Sequence, residues 1–193
     1  MKVNGRFWGY VSVVLLSSCA LVPQQANIAP KVNVATSSEG KNATISIKVV
    51  DERPTKSLGR RGSAYGPAAE ITSANDISTV VMQQVSNGLR QKGFNVIDHQ
   101  EGKAAALTVE IRFLEYSTST GLVTGGVNVD AALKAIAVRG TQSYEQMYRT
   151  ESKNDVLVVP TAETNEEWIN AALGDVLNQL LSDSALIKIL ASE

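Results

Sequence analysis

The sequence has few of the residues that form covalent or metal cross-links. Its 193 residues include one cysteine, Cys19, and one histidine, His99. A single cysteine excludes a disulfide within the chain, and a structural zinc site takes four cysteine or histidine ligands. We therefore expect a domain that is held together by packing, with no metal and no cofactor.

An excess of charge of either sign is also lacking. The net charge is −1, and without residues 1–18 it becomes −3, because 16 basic and 19 acidic residues remain. This balance argues against a basic face for nucleic acid or for anionic lipid headgroups. Apolar residues make up 44% of the chain, which is enough for the core of one ordinary domain.

Residues 1–18 have the pattern of a secretory signal peptide. Two basic residues precede the apolar run 7–16, and Ser17 and Ser18 follow it. The run is about ten residues long, whereas a transmembrane helix needs about 20. A buried N-terminal helix is the alternative, but the run shows no amphipathic stripe.

The residues Leu16-Ser17-Ser18-Cys19 resemble the lipobox of bacterial lipoproteins. The resemblance implies cleavage between Ser18 and Cys19, a diacylglycerol on the Cys19 thiol and usually a third acyl chain on the new amine. Two or more chains anchor a protein stably, since each buried CH₂ contributes about 0.8 kcal/mol. A free surface cysteine is the alternative. The second mature residue is Ala20 rather than aspartate, which implies the inner leaflet of the outer membrane, facing the periplasm.

The remaining sequence divides into two parts. Residues 19–42 are rich in Pro, Gln, Asn, Ser and Gly, which predicts a lipidated N-terminus followed by a flexible tether. Residues 43–193 are predicted to form a single domain that faces the periplasm.

Hydrophobic periodicity predicts the elements of this domain. They are a strand at 44–50, a helix from Asn75 or Asp76 to Gly93, a short strand at 94–97, a strand at 107–113 with Phe113 facing the core, a strand at 127–138, a strand at 141–151, a helix capped by Thr164 or Asn165 and a short helix at 185–190. The alanine-rich strand at 127–138 has a helix as its alternative. The order β-α-β-β-β-β-α predicts an α+β fold: a mostly antiparallel sheet of four to five strands, with two amphipathic helices packed on one face.

The segment from Asp51 to Gly66 is the candidate functional loop, because it gathers charged residues between a strand end and a helix start. Asp51, Arg53, Arg60 and Arg61 are its candidate partner-binding residues. The alternative is a solvated connection in which Asp51 and Arg53 pair locally.

No group of residues forms a catalytic pattern, so we expect no enzyme. His99 lacks a partnered nucleophile and is expected to be a solvated loop residue. Tyr116, Tyr144 and Tyr148 could form an aromatic surface strip, but cross-strand packing is favoured.

The chain resembles the YajG-type family of uncharacterised bacterial lipoproteins. The shared features are the lipobox, a first strand ending in Asp51-x-Arg53, a helix ending in Lys92-Gly93-Phe94, the Tyr144-x3-Tyr148 strand and a capped C-terminal helix. The family has no assigned activity, so the resemblance implies the location and the fold.

Two functions follow as expectations. The first is a non-enzymatic accessory protein that is held in the membrane by the lipid on Cys19 and binds another envelope protein, without a nucleic-acid partner. The second is a binding module for a small envelope ligand, such as a cell-wall fragment or a lipid, in an apolar cavity that opens near residues 121–126.

Overall fold

The computed structural model describes residues 22–62, 68–99, 105–120 and 125–192. Its strands are β1 (Gln24–Ala26), β2 (Thr44–Asp51), β3 (Gly59–Gly62), β4 (Ala68–Ser73), β5 (Asn95–Asp98), β6 (Ala105–Thr120), β7 (Gly125–Arg139) and β8 (Gln142–Val156). Its helices are α1 (Ile77–Gln91), α2 (Ala162–Ser182) and α3 (Ser184–Ala191). The predicted α+β class is confirmed. The predicted sheet is wrong in size and type, because the described residues form one mixed sheet of eight strands.

The sheet is mixed because it forks along β6. On one edge, β7 pairs antiparallel with β6 along its whole length, and β8 pairs antiparallel with β7. On the other edge, β2 pairs parallel with the first half of β6, and β3 meets the second half where Gly59 lies opposite Tyr116. The outer strands then divide, because β5 extends the β2 branch and β4 and β1 extend the β3 branch.

The buried face of β6 changes at a β-bulge. Ile111 lies opposite Leu133 and Phe113 lies opposite Ala132, so β6 has one extra residue at this point. Such an insertion shifts the alternation of side chains by one position. The core side chain after the bulge is therefore Leu114, and Phe113 is 42% exposed on the opposite face. The prediction that Phe113 faces the core is wrong for this reason.

The helices pack on one face of the sheet, as predicted. α1 contacts β2 and β5, whereas α2 and α3 contact β7 and β8. The side chains of β7 beneath the helices include Ala131, Ala135 and Ala137, which are fully buried and short enough for close approach. α1 and α2 also touch closely, since a Cβ added at Gly88 would lie 2.5 Å from a methyl carbon of Leu181. The other face of the sheet, between β6 and β8, is named the open face below.

Side chains and a glycine cap the helix ends in the usual way, and one of the predicted caps is corrected. Asp76 caps α1 by accepting a hydrogen bond of 2.6 Å from the backbone N–H of Thr79, and Gly93 follows the helix with a φ of 85°. Both features agree with the sequence prediction. The predicted cap of α2 is wrong, because Thr161 caps this helix and Asn165 is buried inside its first turn.

The segment at residues 24–34 belongs to the domain, which corrects the prediction of a flexible tether over 19–42. Gln24, Ala26, Ile28 and Pro30 are buried, and the residues between them are exposed. Farther along, residues 37–43 are tied to the end of α1, for example by a 2.9 Å bond from the Ser37 N–H to the Gln91 carbonyl. Composition predicted a tether because the buried positions include polar and small side chains.

Regularly spaced hydrogen bonds hold this segment against α2. The backbone N–H groups of residues 27, 29 and 33 donate to side-chain oxygens of Glu166, Asn170 and Asn178. Two residues of an extended chain advance about 6.6 Å, and four residues of a helix advance about 6 Å, so every second residue meets every fourth one. Gly174 completes the helix series where the backbone comes closest, because an added Cβ would lie 2.7 Å from the Lys31 carbonyl oxygen.

Candidate functional site

Asp51 and Arg53 form a local ion pair where the sheet forks. The Arg53 Nε and Nη2 atoms each donate to the Asp51 carboxylate at 2.9 Å, and Arg53 is only 7% exposed. The Lys56 ammonium lies 3.1 Å from the same carboxylate. Burial opposes ionisation of Asp51, but the hydrogen bonds from Arg53 and Lys56 outweigh it and hold its pKa at about 2. The pair therefore fixes the turn after β2, as the local-pairing alternative requires.

Arg60 and Arg61 do not lie in a loop, because they form the middle of strand β3. Arg60 is exposed and donates to the Ala68 carbonyl at 3.4 Å. Arg61 is buried and donates to the Gln24 side-chain oxygen at 3.2 Å. The structure thus separates the four predicted residues into a pair at the fork and a pair on β3, and of these four only Arg60 is exposed.

A buried polar cluster joins the N-terminal segment to the sheet and to α2. The Tyr116 hydroxyl donates to the Asn165 side-chain oxygen at 2.8 Å, and the Asn165 amide donates to Gln24 at 3.1 Å. The Gln24 amide in turn donates to the Ala162 carbonyl at 2.7 Å. Burial raises the pKa of Tyr116 to about 12, although nearby Arg61 lowers it, so the hydroxyl remains a donor. Sequence reasoning missed this cluster because Asn165 resembled a helix cap.

Tyr144 and Tyr148 face the helices and share one acceptor, Asp183. Their hydroxyls donate to one oxygen of the Asp183 carboxylate at 2.8 and 2.6 Å. The other oxygen accepts the backbone N–H groups of Ala185 and Leu186 and so caps α3. Burial alone would raise the pKa of Asp183, but these hydrogen bonds lower it. The favoured interpretation, packing across the strands rather than a surface strip, agrees with this geometry.

The other residues singled out from the sequence show no shared site. His99 is exposed at the end of β5. Ser18 and Cys19 lie outside the described residues, as do positions 121–124 of the segment beside which the sequence predicts an apolar cavity. No three or more His, Cys, Asp or Glu side chains are grouped to hold a metal ion within the described ranges.

The end of the molecule where β6 and β8 finish carries an exposed apolar group. Leu157 and Val158 are 85% and 78% exposed, Val159 is 47% exposed, and Val22 is 61% exposed. These four side chains are named the apolar tip below. They have no counterpart among the sequence predictions, although the run Val156-Leu157-Val158-Val159 before a proline could have signalled it.

Two hollows flank the apolar tip. One has a volume of about 160 Å³ and lies between residues 157–160 and the start of β7 at Gly125 and Gly126. The other has a volume of about 600 Å³ and is lined by Val22 and Pro23 together with Val159 and Pro160. Val22 and residues 157–160 therefore lie at the same end of the domain. Over the part of the chain that the structure covers, no helix is long and apolar enough to cross a membrane.

Comparison with solved structures shows the fold. Protein XCC0632 from Xanthomonas campestris, of the family model DUF330, is similar with a TM-score of 0.53 and 12% identity; the match covers 84% of this chain and 95% of that one. A minor lipoprotein from Acinetobacter baumannii has a TM-score of 0.41 and 9% identity, with coverage of 73% and 91%. No curated protein matches the sequence significantly.

The family comparison covers most of the chain. The family model Lipoprotein_16, described as uncharacterized lipoprotein, matches residues 30–191. The matched region includes strands β2 to β8 of the sheet and all three helices, whereas β1 lies before it. The chain therefore belongs to this family of bacterial lipoproteins, the YajG family.

Proposed function

We propose that this chain is a non-enzymatic accessory lipoprotein of the cell envelope, anchored by Cys19 in the inner leaflet of the outer membrane. One observation carries the proposal: the lipobox cysteine stands five residues before Gln24, the first residue of strand β1. Because residues 24–34 are bonded to α2, an anchor on Cys19 would hold a rigid domain at the membrane surface. Family membership supports the lipid anchor, and Ala20 as the second mature residue supports the outer membrane as its location.

The polar clusters have structural roles, which favours an accessory function over catalysis. Asp51 is occupied by Arg53 and Lys56, and Asp183 is occupied by two tyrosines and a helix N-terminus. A general acid or base must reach a substrate proton, whereas these carboxylates are held by structural hydrogen bonds. Each cluster thus has a structural role that explains its residues.

The open face of the sheet is the surface that we assign to the partner, another envelope protein. Phe113, Val138 and Met147 are between 42% and 46% exposed on this face. The Arg149 guanidinium lies 5.8 Å from the centre of the Phe113 ring, and Lys134 pairs with Glu145 beside them. Exposed apolar and arginine side chains surrounded by charge are typical of protein interfaces.

Site-specific photo-crosslinking in cells tests this proposal. A photoreactive amino acid at Met147 probes the open face, one at Arg60 probes the predicted partner-binding segment, and one at Gln83 on the exposed side of α1 is the control. We expect a discrete adduct with an envelope protein from position 147, none from 83, and loss of the adduct in a Cys19→Ser chain. An adduct from position 60 alone would assign the partner to β3 instead of the open face. Adducts from all three positions, or from none, would contradict the proposed partner.

A small-ligand function has one observation in its favour. The hollow of about 160 Å³ opens beside Gly125 and Gly126, where the alternative hypothesis placed a ligand cavity. Ligand pockets commonly measure about 300–1,000 Å³, so this hollow would hold only a small apolar group. Mass spectrometry of molecules extracted from the purified protein distinguishes the two functions, because a stoichiometric lipid or cell-wall fragment would favour the binding module.

A further inference from the structure

We propose that the apolar tip inserts into the lipid surface that holds the acylated Cys19, so that the domain stands on the membrane in one fixed orientation. This inference rests on the proposed function, because it requires the lipid anchor. The ligand of the tip is the lipid surface itself, and the contact is apolar.

The exposure of the tip is the first reason. Leu157 and Val158 are 85% and 78% exposed at adjacent positions, and Val159 and Val22 extend the same surface. Single exposed apolar residues are common, but a contiguous exposed group marks a binding surface for a protein or a membrane. The side chains are also not needed for the core, which packs farther along β6, β7 and the helices.

The distance to the anchor is the second reason. Consecutive Cα atoms are 3.8 Å apart, so Cys19 can lie at most about 11 Å from Val22. Val22 and Val159 line the same hollow, which places the tip beside the point where the chain leaves toward Cys19. Acyl chains on Cys19 therefore enter the bilayer within reach of the tip.

The charges around the tip indicate how the contact would work. The residues that line its two hollows include one basic side chain, Arg61, and one acidic side chain, Glu163, and the exposed Asp155 lies two residues before Leu157. Arg61 is buried and bonded to Gln24, so it is not presented to lipid headgroups. Insertion would therefore depend on burial of apolar surface rather than on attraction to anionic lipid, and added salt would not weaken it.

The tip would set the orientation of the whole sheet. β6 and β8 end beside it and β7 begins there, so the strands run away from the membrane. The 15 residues of β7 span roughly 45 Å at about 3.3 Å per residue. The turn at Gly140 would then lie far from the lipid. The open face would run parallel to the membrane normal, where a periplasmic partner could reach it.

Spin labels on the intact lipoprotein test the insertion. Cys19 is the only cysteine of the chain, so its acylation leaves an introduced cysteine as the single free thiol. We would label Val158→Cys and, as a matched exposed apolar control, Met147→Cys in the full mature protein. Each is reconstituted in vesicles of phosphatidylethanolamine and phosphatidylglycerol, and relaxation of the label by oxygen and by a water-soluble nickel chelate is measured at low and high salt.

The expected result is a reversal between the two positions. Oxygen should relax the label at 158 more than the chelate does, at either salt concentration, and the chelate should dominate at 147. Adding Leu157→Asp should move the label at 158 into water, since burial of one leucine changes a partition by about tenfold or more, whereas Val138→Asp should leave it in lipid.

The results that would contradict the insertion can be distinguished from failure of the lipid anchor. Labelling of a free Cys19 thiol would overturn the proposed function and this inference with it. An acylated Cys19 with a water-exposed label at 158 would overturn the inference alone. Spin–spin broadening at 158 without lipid exposure would also overturn it, because a second copy of the chain would then cover the tip.

Discussion

Replacement of Asp183 by alanine should destabilise the domain more than loss of an ordinary helix cap. The Asp183 carboxylate caps α3 through two backbone N–H groups and accepts hydrogen bonds from Tyr144 and Tyr148. Loss of a cap costs about 1 kcal/mol. Loss of a charged acceptor for the mostly buried Tyr148 hydroxyl adds about 2 kcal/mol. We therefore expect a loss of about 3 kcal/mol in the free energy of unfolding.

Asp76 supplies the matched control. It caps α1 through the Thr79 N–H and contacts the Ser78 hydroxyl, but it holds no tyrosine. Asp76→Ala should therefore cost about 1 kcal/mol. Equilibrium urea unfolding of the mature protein, followed by Trp168 fluorescence and far-ultraviolet circular dichroism, measures both changes at neutral pH.

A double-mutant cycle isolates the tyrosine contribution. Tyr148→Phe should cost little once Asp183 is already alanine, because the two residues act through one hydrogen bond. Two results would show that the tyrosine–aspartate cluster does not stabilise the fold as we describe. One is a loss of unfolding free energy in Asp183→Ala that is no larger than in Asp76→Ala. The other is a double variant whose loss equals the sum of the losses in Asp183→Ala and Tyr148→Phe.

Three further predictions concern the fork and the docked segment. Asp51 ionises with a pKa of about 2 instead of 3.8, so it should contribute about 2 kcal/mol above pH 4, and urea unfolding should show this stability lost as pH falls toward 2, but not in Asp51→Asn. Gly59→Ala should cost about 3 kcal/mol or more, because φ is 130° and the new Cβ would lie 1.9 Å from a backbone oxygen of β6. Gly140→Ala, with open space around it, should cost about 1 kcal/mol, and equal thermal shifts for the two would contradict this contrast. Gly174→Ala should push away the backbone at Lys31 and speed proteolysis within residues 24–34, and an unchanged cleavage rate would show that the segment is not docked as described.

The elements predicted correctly are those whose own sequences show a strong hydrophobic periodicity. Most of β2 and the first half of β6 alternate between apolar and polar residues in the sequence, and α1 shows a clear cap and a terminating glycine. The alanine-rich β7 was predicted as a strand from its alternation, against its helix propensity. Its alanines fit because two helices lie directly over them.

The missed elements depend on partners that are distant in the sequence. β1, β3 and β4 are three to six residues long, and they form because β3 meets β6 at Tyr116 and because β1 pairs with β4. The bulge before Phe113 is likewise set by the pairing with β7 and has no local signal. The candidate residues Asp51 and Arg53 were found as a pair, but burial of Arg61 depends on Gln24, which composition had assigned to a tether.

Mass analysis of the mature N-terminus tests the central claim most directly. The account predicts that the N-terminal peptide of the protein from envelopes begins at Cys19 and carries acyl chains, and that a Cys19→Ser chain keeps residues 1–18 and gains no lipid. A mature chain that begins at another residue, or an unmodified Cys19 in the envelope protein, would contradict the account.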